Sequence, residues 1–133
     1  MSNFEKNLEQ ALNNAKRLTD KILIDGKLIS AQTNNKIPVL NPSTGDNIGS
    51  APQCNKDDVN IAVESAHKAF QKWKKIPARE RGKMVAAGAK RLEERKSEIE
   101  TLLSLDTGNA LRTQAIPETG ASIELTNMFA GLS

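Results

Sequence analysis

Few side chains in this 133-residue chain could carry covalent or acid–base chemistry: it has one cysteine, Cys54, and one histidine, His67. A lone cysteine excludes an intrachain disulfide, and one cysteine with one histidine cannot build a nitrogen–sulfur metal cluster. General-base work needs an imidazole with a positioned partner. His67 falls beside the apolar stripe of a helix, with no carboxylate or cysteine placed for it, and reads as a surface or boundary residue. Two glycine-bearing turns, Asp25-Gly26 and Asn41-Pro42-Ser43-Thr44-Gly45, match neither a G-x-G-x-x-G nor a Walker phosphate cradle, and neither opens a helix directly. Residue types alone assign no activity.

The elements that would position these residues are well punctuated. The spacing of Phe4, Leu8, Ala11, Leu12, Ala15 and Leu18 predicts an amphipathic helix over residues 1–20, with Ser2 and Glu5 as a capping box. Ile22-Leu23-Ile24 and Lys27-Leu28-Ile29 flank Asp25-Gly26, which supplies the positive dihedrals of a tight hairpin turn. A second apolar run, Ile37 to Leu40, leads through the 41–45 turn toward Asn47-Ile48-Gly49. Asn55 and Asp58 start a helix whose stripe holds Val59, Ala62, Val63, Ala66, Phe70 and Trp73. Pro77 and Ala78 open the next helix, which runs to about Arg95. Ser97 and Glu100 then form a capping box for a helix carrying Ile99, Leu102 and Leu103, and Gly108 stops it as a left-handed C-cap. A last helix carries Ala121, Leu125, Met128, Phe129 and Leu132, with Pro117 in its first turn or kinking it.

Apolar residues make up 38% of the chain, an ordinary globular proportion, and no stretch approaches the roughly 18 apolar residues of a membrane span. With no signal-peptide pattern and one thiol, the expected home is the cytoplasm. The net charge of +3 is unevenly spread. Residues 68–96 hold eleven basic and three acidic side chains, a net +8, whereas residues 97–133 are at −4. Such a basic stretch could attract phosphates. Its charges are spread around two helices, and Phe70 and Trp73 are its only rings, so a solvated helix face is the better reading and nucleic acid is not the expected partner.

The order of signals resembles the N-terminal part of NAD(P)-dependent aldehyde dehydrogenases, with a flavour similar to the betaine-aldehyde type. The resemblance rests on Ile24-Asp25-Gly26-Lys27, Asn41-Pro42-Ser43-Thr44-Gly45, the helix holding Ala66, Phe70 and Trp73, Pro77-Ala78-Arg79-Glu80-Arg81, Leu92-Glu93-Glu94-Arg95, Leu105-Asp106-Thr107-Gly108 and Phe129-Ala130-Gly131. Each piece is short, but together they run in family order over nearly all of residues 21–133.

That resemblance implies an α/β parent fold with a Rossmann-like cofactor domain, of which this piece is mostly α with N-terminal β-hairpins. Residues 1–20 would be a separate amphipathic helix. Residues 21–133 would be the N-terminal part of the cofactor domain, with hairpins in 21–52 and helices in 55–133, incomplete at the C-terminus. Family members oxidise an aldehyde to a carboxylic acid. A cysteine thiolate attacks the carbonyl, hydride passes to NAD or NADP, and glutamate-activated water cleaves the thioester. The family's catalytic cysteine, glutamate and oxyanion asparagine lie outside this sequence, and Cys54 does not match the nucleophile motif. No catalytic or nucleotide-binding residue is therefore assigned, and the chain alone is expected to be inactive and without cofactor. Some relatives hold a monovalent cation, K+ or Na+, with backbone carbonyls that fall by position on Val39, Leu40 and Asp106 here. The expected partners are the remainder of such an enzyme or a second copy, with no membrane. Self-association through uncovered apolar helix faces is the alternative role.

Overall fold

The computed structural model describes residues 3–132. The expected Ser2–Glu5 capping box and the packing of the Phe4 side chain lie outside what is described. Helix α1 (Asn3–Leu18) is followed by strands β1 (Lys21–Ile24), β2 (Lys27–Ser30), β3 (Lys36–Leu40) and β4 (Asn47–Pro52). Helices α2 (Lys56–Trp73), α3 (Ala78–Glu94) and α4 (Lys96–Thr107) come next, then one wide π-helical turn (Leu111–Ala115) and α5 (Ile116–Gly131). The strands form two separate antiparallel hairpins, β1–β2 and β3–β4. The chain is mostly helical with two N-terminal hairpins, as its turn signals predict.

Each hairpin follows from its turn. Asp25 and Gly26 both take positive φ, 51° and 72°, the backbone of the two-residue turn that matches strand twist. In the second hairpin Asn41 closes the loop on both sides. Its amide donates to the Asp46 carbonyl (2.9 Å), its own carbonyl accepts from Gly45 (2.8 Å), and its side chain accepts from the Ser43 amide (2.9 Å). The β3–β4 register pairs Val39 with Gly49 and Leu40 with Asn47, so a bulge falls between Val39 and Leu40.

The apolar interior is small. Among the described residues only Ala11, Ala89, Ala115 and Ile123 are buried hydrophobics. Helix α1 packs on α4, and α3 packs on α5. Helix α2 begins with a complete capping box. Asn55 Oδ1 accepts from the Asp58 amide (2.9 Å) and Asp58 Oδ2 accepts from the Asn55 amide (3.0 Å), while Asp58 Oδ1 also takes the Gln32 amide (3.0 Å). Asp58 is the one residue of this 18-residue helix that is buried. The apolar stripe along α2 faces outward, with Val63 61% and Phe70 53% exposed.

Two expected helix starts are placed differently. Pro77 stands one residue outside α3 as its N-cap, with ψ 142°. Ser97 is not an N-cap: α4 already begins at Lys96, and the Ser97 carbonyl accepts from Thr101 Oγ1 (2.8 Å) inside the helix. The reason is Arg95, which breaks α3 from α4 with φ −114° and ψ 16° and grips Glu98 with two hydrogen bonds, 3.0 and 2.6 Å. This bidentate pair organises the first turn of α4 in place of a serine cap. Gly108 ends α4 with φ 75°, its amide donating to Ser104 (3.0 Å), and Pro117 lies in the first turn of α5 rather than kinking it.

Candidate functional site

One concavity that holds residues singled out from the sequence lies between α1, the β3–β4 hairpin and α4. It is a cleft of about 400 Å³ with Leu18, Val39, Ile48, Leu102, Leu103 and Asp106 on its walls. Chain reversals build it. Asp20 takes φ 60° to turn α1 into β1, and its amide and carboxylate tie to Ser50 of β4, through the Ser50 carbonyl (3.0 Å) and Oγ (2.6 Å). The Lys36 ammonium also meets the Asp20 carboxylate. Hydrogen bonds from Lys36 and then Ser50 hold the Asp20 carboxyl below the usual aspartate range.

On the opposite wall α4 is fixed to α1 through Glu98. Its carboxylate is buried against Arg95 and also receives a hydrogen bond from Asn14 of α1. The Arg95 hydrogen bonds outweigh burial and hold the Glu98 carboxyl below the ordinary glutamate value, and the same contact raises Arg95. Sequence reading missed both Asp20 and Glu98. An Arg–Glu pair three residues apart is a readable helical signal, whereas nothing local marks Asp20, whose partner Ser50 lies 30 residues away.

The structure brings two of the three cation candidates, Val39 and Asp106, to one cleft. Leu40 follows Val39 across the bulge with its side chain exposed. The residue that the bulge leaves unpaired is Ile48 of β4, opposite these two positions. At the other wall, the amides of Asn109 and Ala110 are engaged by Thr107 Oγ1 (3.2 Å) and Gln114 Oε1 (2.9 Å), so neither closes the last turn of α4 onto its carbonyls. Unclosed carbonyls at the negative end of a helix suit a hard cation. The two walls touch beyond the cleft, where Gly108 abuts Pro42.

No reactive constellation accompanies this cleft. Cys54 is exposed between β4 and α2, and His67 is exposed on α2 with Nε2 3.0 Å from Gln71 Nε2, as expected of a surface imidazole. Among the described residues no three His, Cys, Asp or Glu side chains are grouped to hold a metal, and no described helix is long and apolar enough to cross a membrane. The positive-φ glycines, Gly26, Gly45 and Gly108, serve two strand turns and a helix C-cap. None of these three forms the glycine-rich strand-to-helix cradle of a Rossmann dinucleotide site.

Comparison with known proteins places this geometry. Residues 28–133 match the aldehyde dehydrogenase family. The chain is 38% identical over 111 residues to aldehyde dehydrogenase tropH of Talaromyces stipitatus, covering 84% of this chain and 21% of that protein. It is 34% identical over 117 residues to phenylacetaldehyde dehydrogenase of Pseudomonas fluorescens, covering 86% and 23%. Among solved structures, HpcC of Thermus thermophilus superposes with a TM-score of 0.89 at 24% identity, over 96% of this chain and 24% of that one. Betaine aldehyde dehydrogenase of Staphylococcus aureus, solved in complex with NAD+, gives 0.86 at 27% identity, over 95% and 25%. The chain thus spans about a quarter of the length of these proteins.

Proposed function

The chain belongs to the aldehyde dehydrogenase family, and from that premise we propose that it serves as the N-terminal structural portion of a cytoplasmic enzyme that oxidises an aldehyde to a carboxylic acid with NAD or NADP. In this reading the 133 residues hold no turnover and no nucleotide of their own. The observation that carries it is the pairing of a family-wide match over residues 28–133 with a described surface that offers only an exposed Cys54 and an exposed His67. Attack on a carbonyl needs an activated thiol beside oxyanion donors, and cleavage of the thioester needs a positioned base. Neither Cys54 nor His67 has that company. A coupled NADH assay with a panel of aldehydes is expected to stay at baseline for this polypeptide; reproducible turnover that scales with protein concentration would sink the reading.

The cation expectation is kept as part of the proposal: K+ or Na+ bound by the carbonyls of Val39, Leu40 and Asp106, with further oxygen ligands from water or from elsewhere in an enzyme. The shared cleft of Val39 and Asp106 and the unclosed end of α4 support it. Replacing K+ by a bulky organic cation at constant ionic strength should lower the melting temperature; identical melts in both salts would remove it.

A second reading, a non-enzymatic module that self-associates, draws on the exposed apolar faces of α2 and α5, where Val63 and Phe129 are each 61% exposed. Light scattering tests it. A monomer across the accessible concentration range argues against it.

A further inference from the structure

Three separate apolar surfaces of this protein are uncovered. The first is a groove of about 930 Å³ between β1 and α2, floored by Ile24, Ile61, Phe70, Trp73 and Ile76. The second is the outer face of α5, where Leu125, Met128, Phe129 and Leu132 recur at helical spacing and are all at least half exposed. The inner face of that helix is already used against α3, with Thr119 and Ile123 buried. The third is the cleft between α1, β3–β4 and α4. Helices draw most of their stability from tertiary packing of an apolar face. Helix α2 has buried only Asp58, a polar residue, so its own stripe is still waiting for its support.

The number of surfaces limits what can cover them. Helix α2 leans on β1, whereas α5 leans on α3 and α4, so the two faces belong to different packing groups. A second copy joined about a two-fold axis covers one self-complementary patch and leaves the others in water. A body that reaches several surfaces at once must be larger than this chain. The superposition supplies one of that size: 96% of this chain overlays only 24% of the HpcC chain, at a TM-score of 0.89.

We infer that the α2 groove around Trp73 and the outer face of α5 are docking surfaces for the part of an aldehyde dehydrogenase polypeptide that lies outside the matched segment, so that this chain completes such an enzyme by apolar packing. The inference rests on the function proposed above and names its partner. The outer α5 face is apolar along its length, as in a domain core, whereas the α2 groove sets its apolar floor among Asp25, Glu64, Lys68 and Lys72. The outward α5 face has Glu124 as its one charge between Leu125 and Ala121, and α5 as a whole carries no cation.

The test is to co-express the tagged 133-residue chain with the S. aureus betaine aldehyde dehydrogenase polypeptide shortened by the quarter that this chain overlays. That enzyme's own N-terminal quarter, supplied as a separate chain, is the control. Co-purification in equal amounts is expected, with amide hydrogen exchange slowed over residues 56–73 and 116–131. Ile61→Glu or Phe129→Glu should each cut the recovered complex at least about tenfold, since a carboxylate would be buried without a partner, whereas Lys90→Glu on α3 should not. Assembly of the control but not of this chain overturns the inference. Where the control also fails to assemble, exchange of the 133-residue chain alone decides: fast exchange over both segments supports open faces, and strong protection in a monomer or in a self-assembled oligomer overturns them. A complex that forms but oxidises no aldehyde keeps the docking surfaces and removes the proposed catalytic context, so the two failures are distinguishable.

Discussion

A β-carbon placed on Gly108 would stand 3.0 Å from Pro42 Cγ, so the end of α4 and the turn after β3 are in contact through a residue whose side chain would press on the proline ring. Gly108 also needs φ of 75°, a region L-residues rarely adopt. Gly26 has a similar φ, 72°, but open space around it. The pair separates the two costs.

Gly26→Ala should destabilise the fold by about 1 kcal/mol from backbone strain alone. Gly108→Ala should cost roughly 1–2 kcal/mol more, because overpacking adds to strain. Pairing Gly108→Ala with Pro42→Ala should recover most of that difference. Urea unfolding of the three variants checks it, and equal losses at both glycines would disprove the Pro42 contact.

Stability should fall in acid in a way that Glu98 controls. Its folded carboxyl is held below the unfolded value, so its contribution is fully present above the unfolded glutamate pKa of about 4.3 and is lost as pH drops through the folded value. Melting temperatures from pH 7 down to acid should decline below about pH 5. Glu98→Gln should flatten part of that decline and cost about 1–2 kcal/mol at neutral pH, a modest figure because Arg95 remains half exposed.

At the start of α2, Asn55→Ala should cost about 1 kcal/mol, the usual value of a lost N-cap. Asp58→Ala should cost more, since it removes the reciprocal half of the box and leaves the Gln32 amide without its acceptor. Thermal melts followed by circular dichroism would rank the two, and the reverse order would count against the Gln32 link.

The Cys54 thiol should react with Ellman's reagent in the native protein as fast as in urea, giving one equivalent per chain, because it is exposed. Cys54→Ser should leave complex formation with an aldehyde dehydrogenase polypeptide unchanged. A slow native thiol would place it inside an assembly.

Local features of this fold were legible residue by residue. Asp25-Gly26, Asn55 with Asp58, and Gly108 are turn and cap chemistries in which the determining atoms lie within four residues, so sequence spacing suffices. The start of α4 was misplaced because two cap candidates overlap there. Ser97 offers a hydroxyl to backbone amides, but Arg95 and Glu98 offer two charged hydrogen bonds, and these are the ones formed. Asp20 was invisible, since its positive φ is held by Ser50 and Lys36 from the far hairpin. The outward stripes of α2 and α5 have the periodicity of buried faces, which sequence spacing reports without saying what lies opposite.

Helix α2 is also a lever. At 1.5 Å per residue its 18 residues extend about 27 Å, and its buried fastening, Asp58, sits in the first turn. From Asp58 to Trp73 the arm is about 22 Å, so each degree of rotation about that pivot carries Trp73 through roughly 0.4 Å. A change of a few degrees at the Asn55–Asp58 box is thereby magnified into a displacement of about an ångström at the groove, where β1 is the facing wall.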